Sequence, residues 1–327
     1  MKKKKQHFVS QFYLRSWRFN KRQLYTNINN EARPSSTGDV GSENYFYWIR
    51  GITLAEKRIL ERENSTLQSV AIRSLIQSII NACYLFELEV AVATDEEDIK
   101  KLEIRQANMI EESYCIIEDL VLPAHQKLLG NDRSNFTLDD YQNTVRFITF
   151  QLARTRKARD NTAASTADLA ERLKKEGINV DNYQKISSLI FAEKICLVTI
   201  EKLYKIYILE NCSTVNLITN DNPVTVIETD EPTNPSFYWP LSPKRAILLE
   251  KPKLSETESK EIKRAILADP TDASVLLGGV RNIGLVEVNE LNEKIWKGKQ
   301  HSIYGIAAND ITKFLTDQID NSKKDQL

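Results

Sequence analysis

Apolar residues recur at helical spacing over most of this chain, and that periodicity gives its first outline. Residues 54–85, 95–129, 139–158, 166–176 and 182–210 each carry such a stripe. Thr53 followed by Glu56 has the spacing of a capping box at the first of them. The last runs through Ile186, Leu189, Ile190, Cys196, Val198, Leu203 and Ile206 and is apolar most of the way round, which predicts a central buried helix. Pro123 is expected to kink or end the helix that holds it. Before this helical body, 8–18 reads as a short amphipathic helix, 23–28 and the aromatic run 44–49 as strands, and 31–42 as a loop, because Pro34, Gly38 and Gly41 fall there. After it the period shortens. Segments 215–219 and 224–227 flank Asn220-Asp221-Asn222-Pro223, a hairpin-like turn by its residue types, and 236–239 and 246–249 flank Pro240-Leu241-Ser242-Pro243. Helices are expected again over 255–268, 271–278, 287–297 and 310–317, with a strand at 302–305.

The pattern predicts an α+β fold: a predominantly helical body with a small antiparallel β-sheet built from N-terminal and C-terminal segments. No linker divides the chain. One domain over 1–327 is expected, with an N-terminal segment 1–52, a helical body 53–211 and a β-containing part 212–327.

The chain has 327 residues, 41% hydrophobic and 28% charged, an ordinary soluble composition. Lys+Arg and Asp+Glu are 45 each, so a globally basic nucleic-acid binder is not indicated. Local charge is uneven: lysines fill positions 2–5, and Arg154, Arg156, Lys157 and Arg159 form a second basic cluster. Cys83, Cys115, Cys196 and Cys212 include no Cys-x-x-Cys, which points to reduced structural thiols and a cytoplasmic protein. Gln11, Tyr13 and Arg15 interrupt any secretory apolar stretch. No window has the roughly 18–20 uninterrupted apolar residues that span a bilayer, so no membrane partner is expected.

Candidate chemistry lies in four short polar segments set among apolar neighbours. His7 precedes a helix start and titrates near neutrality, so it is a candidate general acid or base, or else a capping or surface histidine. Gln151 and Arg154 share a helix face with Phe147, and a half-buried arginine there must meet either an anionic ligand or a helical glutamate. Asp221 and Asn222 are catalytic or binding candidates, or simply turn residues. Ser242 lacks the Gly-x-Ser-x-Gly elbow of a nucleophile. His125 reads as structural, and His301 as an exposed residue before a strand. No phosphate-binding or dinucleotide glycine loop and no His-Glu-x-x-His is present, and the cysteines and histidines lack zinc spacing, so no cofactor and no metal is expected.

Taken in order, these segments resemble one family. His7-Phe8-Val9-Ser10-Gln11-Phe12-Tyr13-Leu14, Gln23-Leu24-Tyr25, the Phe-Gln-x-x-Arg-Thr stretch from Phe150 to Thr155, Thr219-Asn220-Asp221-Asn222-Pro223, Pro240-Leu241-Ser242-Pro243 and Val288-Asn289-Glu290-Leu291-Asn292 with Ile303-Tyr304 are similar to those of the domain-of-unknown-function family numbered 4238. Ser10 and Arg156 stand where that family often has proline. The resemblance implies a bacterial anti-phage defence effector, with a toxic nuclease, preferably a ribonuclease, as the leading activity. On that reading His7, Arg154 and Asp221 are catalytic: His7 moves protons, Arg154 holds a phosphate, and Asp221 positions substrate or water. Gln11, Gln151, Asn222, Ser242 and Asn292 bind substrate. Nucleic acid, a phosphorylated small molecule, or a phage protein acting as trigger are the implied partners. A non-enzymatic sensor of a phage component or nucleotide is the second reading. A hydrolase or nucleotidyl transferase acting on a small phosphorylated molecule is the third.

Overall fold

Two asparagines, Asn29 and Asn30, sit at φ 52° and 61° and turn the chain between its first long strands. They come into view in a computed structural model that describes residues 4–131, 135–165 and 167–315, with side chains outside 162–170. The N-terminal segment holds β1 (Lys5–His7), α1 (Gln11–Leu14), a 3-10 turn at Arg15–Trp17, β2 (Gln23–Ile28), β3 (Glu31–Ser36) and β4 (Ser42–Asn44). The helix expected over 8–18 is therefore short. The loop expected over 31–42 contains β3, an exposed edge strand on which Pro34 costs no ladder bond. The aromatic run 44–49 is no strand. Tyr45 turns at φ 56°, and Phe46, Tyr47 and Ile49 drop into the core.

The helical body comprises α2 (Leu54–Asn64), α3 (Val70–Val92), α4 (Glu96–Leu129), α5 (Leu138–Ala153), α6 (Arg156–Ser165), α7 (Ala167–Lys175) and α8 (Val180–Glu201). The Thr53–Glu56 capping box is present. The single helix expected over 54–85 breaks between α2 and α3. There Ser65 and Thr66 turn their hydroxyls back to Arg62 O and Glu63 O, and Ser69 caps the next helix. Pro123 lies inside α4 without ending it. α8 stops at Glu201, and Leu203, at φ 56°, redirects the chain into β5 (Lys205–Asn211). A strand apolar on both faces and a buried helix share the same unbroken apolar run, so periodicity alone does not separate them.

The remaining elements are β6 (Thr219–Asn220), β7 (Thr225–Ile227), β8 (Ser236–Ser242), β9 (Arg245–Glu250), α9 (Glu256–Ala268), β10 (Leu277–Ile283), α10 (Leu285–Gly298) and β11 (Ile303–Gly305). The order β3-β2-β11-β6 is an antiparallel sheet of N-terminal and C-terminal segments. A larger sheet, β10-β5-β9-β8-β7, is antiparallel except where β10 runs parallel to β5. The helix expected over 271–278 is only a 3-10 turn before β10. Gly278 is needed in β10, since a Cβ there would lie 2.2 Å from the Tyr207 ring. The expected hairpin at 220–223 is a crossover instead: β6 pairs with β11 and β7 with β8, so these residues carry the chain from one sheet to the other. From 308 the chain is helical, and residues 316 and 317 of the expected last helix lie outside the described residues.

One buried apolar cluster runs from Phe8 to Leu315 and joins the two larger sheets to the helical body. Only α3, among the described residues, is long and apolar enough by composition to cross a membrane. Its Ile72, Ile76, Ile79, Ile80 and Cys83 are buried within this core, and its Phe86 is buried as well.

Candidate functional site

Gln151 and Arg154 end α5, and their side chains reach the N-terminal segment. Arg154 donates from Nε to Phe8 O at 3.0 Å, from Nη2 to His7 O at 2.8 Å and from Nη1 to Glu118 Oε1 at 2.7 Å. Its guanidinium also stacks on Tyr114, 4.8 Å from the ring centre. Gln151 Nε2 adds a bond to Phe8 O at 2.8 Å, and the Ser10 hydroxyl lies between Glu118 Oε1 and Gln151 Oε1 at 2.8 and 3.3 Å. Arg154 is 3% exposed, and its fork is filled by the protein itself. Burial works to lower its pKa, but Tyr47, Glu118 and Tyr114 outweigh that and hold it above the ordinary arginine value. Of the two partners its position allowed, the structure supplies the helical glutamate.

His7 is half-buried beside this clamp. Gln11 Nε2, which can only donate, lies 3.0 Å from His7 Nε2, so that ring nitrogen accepts. Burial first, and then the Arg154 charge, push the His7 pKa down to about 4 against the opposing pull of Gly38 and Glu118. The ring is neutral at pH 7 and has no imidazolium proton to give. His125 is also lowered to about 4, by burial alone, where it packs against Phe12 and Trp239.

These depressed values have a consequence for stability. The unfolded chain takes up histidine protons near the ordinary 6.5, and the folded chain only near 4. Between those values the unfolded state binds more protons, so stability falls as pH drops through that window. A shift of this size at a fully buried ring corresponds to about 3 kcal/mol. His125→Phe keeps an aromatic ring against Trp239 and removes the titration. It is expected to flatten the loss of stability between pH 6.5 and 4 in urea titrations, and a slope equal to that of the unaltered protein would contradict this account.

The other candidates fall into separate hydrogen-bond sets. Asp221 has both oxygens occupied: Oδ1 accepts from Gln300 N at 2.8 Å, and Oδ2 from His301 N at 2.7 Å and Ser302 N at 3.0 Å. Asn292 bridges Ile218 N and Asn216 O. Ser242 ends β8 and accepts from Lys244 N at 3.4 Å. Asn222 accepts from the Thr155 hydroxyl at 2.8 Å, which ties it to the residue after Arg154. The structure therefore gathers His7, Gln11, Gln151 and Arg154 in one set of bonds, joins Asn222 to the neighbouring turn, and bonds Asp221, Ser242 and Asn292 to other partners. The exposed His301 meets Arg156, which pairs with Glu43. Apart from the local Ser242–Lys244 bond, each of these groups fastens one piece of chain to another.

The open space lies along the next residues. A cavity of about 1000 Å³ is walled by the end of α5, the start of α6, one face of α8, β7 and the last turns of α10. Its floor includes Leu152, Ile190, Ile195, Val224 and Ile227. Five cations line it, Lys157, Arg159, Lys194, Lys294 and Lys297, against the carboxylates of Glu63 and Glu228. Lys157 Nζ donates to Gly298 O at 2.9 Å, and Arg159 to Phe46 O at 3.1 Å. Glu63 accepts from the Tyr183 hydroxyl at 2.6 Å. Lys194 and Lys294 form no ion pair among the described residues. Two polar atoms buried in the lining, Gln184 Nε2 and Thr225 Oγ1, lack any hydrogen-bond partner among the described residues. No histidine lines the cavity.

Most of these residues are absent from the polar segments that the sequence singles out. A signal was present: Gln184, Ser187, Ser188, Phe191 and Lys194 place a polar and aromatic stripe at three- and four-residue spacing on a helix otherwise apolar round most of its girth.

The fold is a helical body carrying a five-stranded, a four-stranded and a two-stranded sheet, and its polar motif residues act as internal ties beside a basic-rimmed cavity. The chain belongs to the DUF4238 family, described as a protein of unknown function, whose sequence model matches residues 5–305. No curated protein and no solved structure matches it.

Proposed function

We propose that this protein binds a phosphorylated small molecule of nucleotide size in the cavity beside α8, and that it acts as a sensor rather than through turnover at His7, Arg154 and Asp221. The observation that carries this reading is the cavity lining: five cations against two carboxylates around an apolar floor. Phosphates suit such a rim, since charge-assisted bonds to them are the strong ones. The volume, about 1000 Å³, stands at the upper end for small-molecule sites, which run to roughly 1,000 Å³. In the defence setting that the family resemblance implies, such a ligand is a trigger.

Calorimetric titration of the purified protein with nucleoside triphosphates and inorganic tripolyphosphate tests the reading. Lys194→Glu and Lys294→Glu are each expected to weaken binding about tenfold or more, by loss of a charged contact, with unfolding temperature unchanged because both side chains are exposed. Absence of binding by every probe overturns it.

A nuclease is the second reading, favoured by the same basic rim, which suits a nucleic-acid strand. Proton transfer then falls to His7, a weak base at its depressed pKa of about 4 and already bonded by Gln11. Loss of total RNA integrity on expression, abolished by His7→Ala, would select this reading over binding alone.

A further inference from the structure

The cavity-facing side of α8 is graded along its length. Gln184 and Phe191 lie two turns apart on one face, about 10 Å along the axis. On that face between them stand Ser187 and Ser188, whose hydroxyls fold back onto Gln184 O at 3.5 Å and Lys185 O at 3.0 Å, with Ile190 in the floor beside them. The gap between the two larger side chains is therefore shallow, with its hydroxyls already satisfied.

Both ends of the gap lack protein partners. Gln184 Nε2 is buried and donates to no protein atom among the described residues. An amide in that position calls for an acceptor from elsewhere. Phe191 is 59% exposed, while its helix neighbours Leu189 and Ile190 are 1% exposed. Val226 on β7, also exposed, lines the same cavity. Lys194 follows Phe191 by three residues on the same face.

Resting on the binding reading above, we infer that this face of α8 is a nucleobase subsite, with Phe191 stacking on the ring and Gln184 reading an acceptor on its edge. A base has the two features the gap requires, a flat apolar face and hydrogen-bonding atoms along its rim. Stacking on an aromatic side chain is tolerant of base identity. A buried amide is selective, because a wrong edge leaves its donor unpaired. The phosphates then run past Phe191 toward Lys194 and the lysines of α10. Thr225 Oγ1, the second unpartnered atom of the lining, is available to a sugar hydroxyl or a phosphate oxygen.

The test uses the full chain and five probes: ATP, GTP, CTP, UTP and inorganic tripolyphosphate. At least one nucleotide is expected to bind tenfold or more tightly than tripolyphosphate, the margin a stacked base supplies. Phe191→Ala is expected to erase that margin while tripolyphosphate affinity stays the same. Gln184→Leu is expected to level the four nucleotides, and Gln184→Glu, which replaces a donor with an acceptor, to reorder them. Equal affinity for nucleotides and tripolyphosphate overturns the base subsite and leaves phosphate binding standing. Nucleotide binding untouched by Phe191→Ala, or an order unchanged in both Gln184 variants, also overturns it. No binding by any of the five probes removes the binding reading, and the subsite with it.

Discussion

Arg154→Ala is expected to be the most damaging single substitution in this protein, lowering the midpoint of thermal unfolding by on the order of 10 °C. The guanidinium is buried and makes bonds to His7 O, Phe8 O and Glu118. Truncation leaves the Glu118 carboxylate, with 17% of its side chain exposed, without its counter-charge. Breaking one side of such a pair costs about 3–5 kcal/mol. Two main-chain carbonyls lose donors as well, although Gln151 still serves Phe8 O. Arg154→Lys keeps the charge but cannot present a fork to three acceptors, so an intermediate loss is expected. Calorimetry on the three proteins measures this. His7→Ala is the matched control, since its ring is neutral and, among the described residues, bonds only Gln11 and the Gly38 main chain. An Arg154→Ala protein as stable as the unaltered chain yet unable to bind ligand would show that the arginine serves a ligand and not the fold.

Asp221→Ala is expected to cost about 3 kcal/mol or more, with the damage centred on 300–305. Three main-chain N–H groups converge on this one buried carboxylate. Hydrogen bonds to a charged acceptor are worth roughly 1.5–3 kcal/mol each, though never additively, and buried donors left unpaired add a further cost. The turn at 300–302 leads directly into β11, which joins β2 to β6 within the four-stranded sheet. Loss of the carboxylate therefore loosens the seam between the two ends of the chain. Asp221→Asn is expected to fall only partly short of alanine in damage, because its amide nitrogen would face N–H groups. Hydrogen exchange at Ile303 and Tyr304 is expected to speed up while the amides of α4 and α5 keep their protection. Uniform loss of protection across all elements would refute a local role.

Both expectations rest on polar segments whose residue types alone suggest an active centre. The residues are unusual because they are buried polar groups, and burial requires that each be bonded. The sequence marks that requirement but does not say whether the partner is a ligand or another part of the chain. Arg154 met Glu118, thirty-six positions away, and the carbonyls of the N-terminal segment. Asp221 met the main chain of Gln300, His301 and Ser302, a group that no side-chain pattern reports. The cavity itself is assembled from α2, α5, α6, α7, α8, β7 and α10, and of its polar lining only Lys157, Arg159 and Asn222 stand in segments that the sequence marks.

Local chemistry determined much of the rest. The Thr53–Glu56 capping box, the extents of β2 and α4, the start of α9 and the antiparallel sheet shared by both chain ends follow from residue type and spacing, since caps, periodicity and strand formers act over a few residues. Tertiary packing decided whether 205–211 became strand or helix, whether 220–223 folded back or crossed between sheets, and which partner each buried charge found. Those outcomes depend on what lies opposite in space, and an unbroken apolar run or an Asn-Asp-Asn-Pro segment is locally compatible with more than one neighbour.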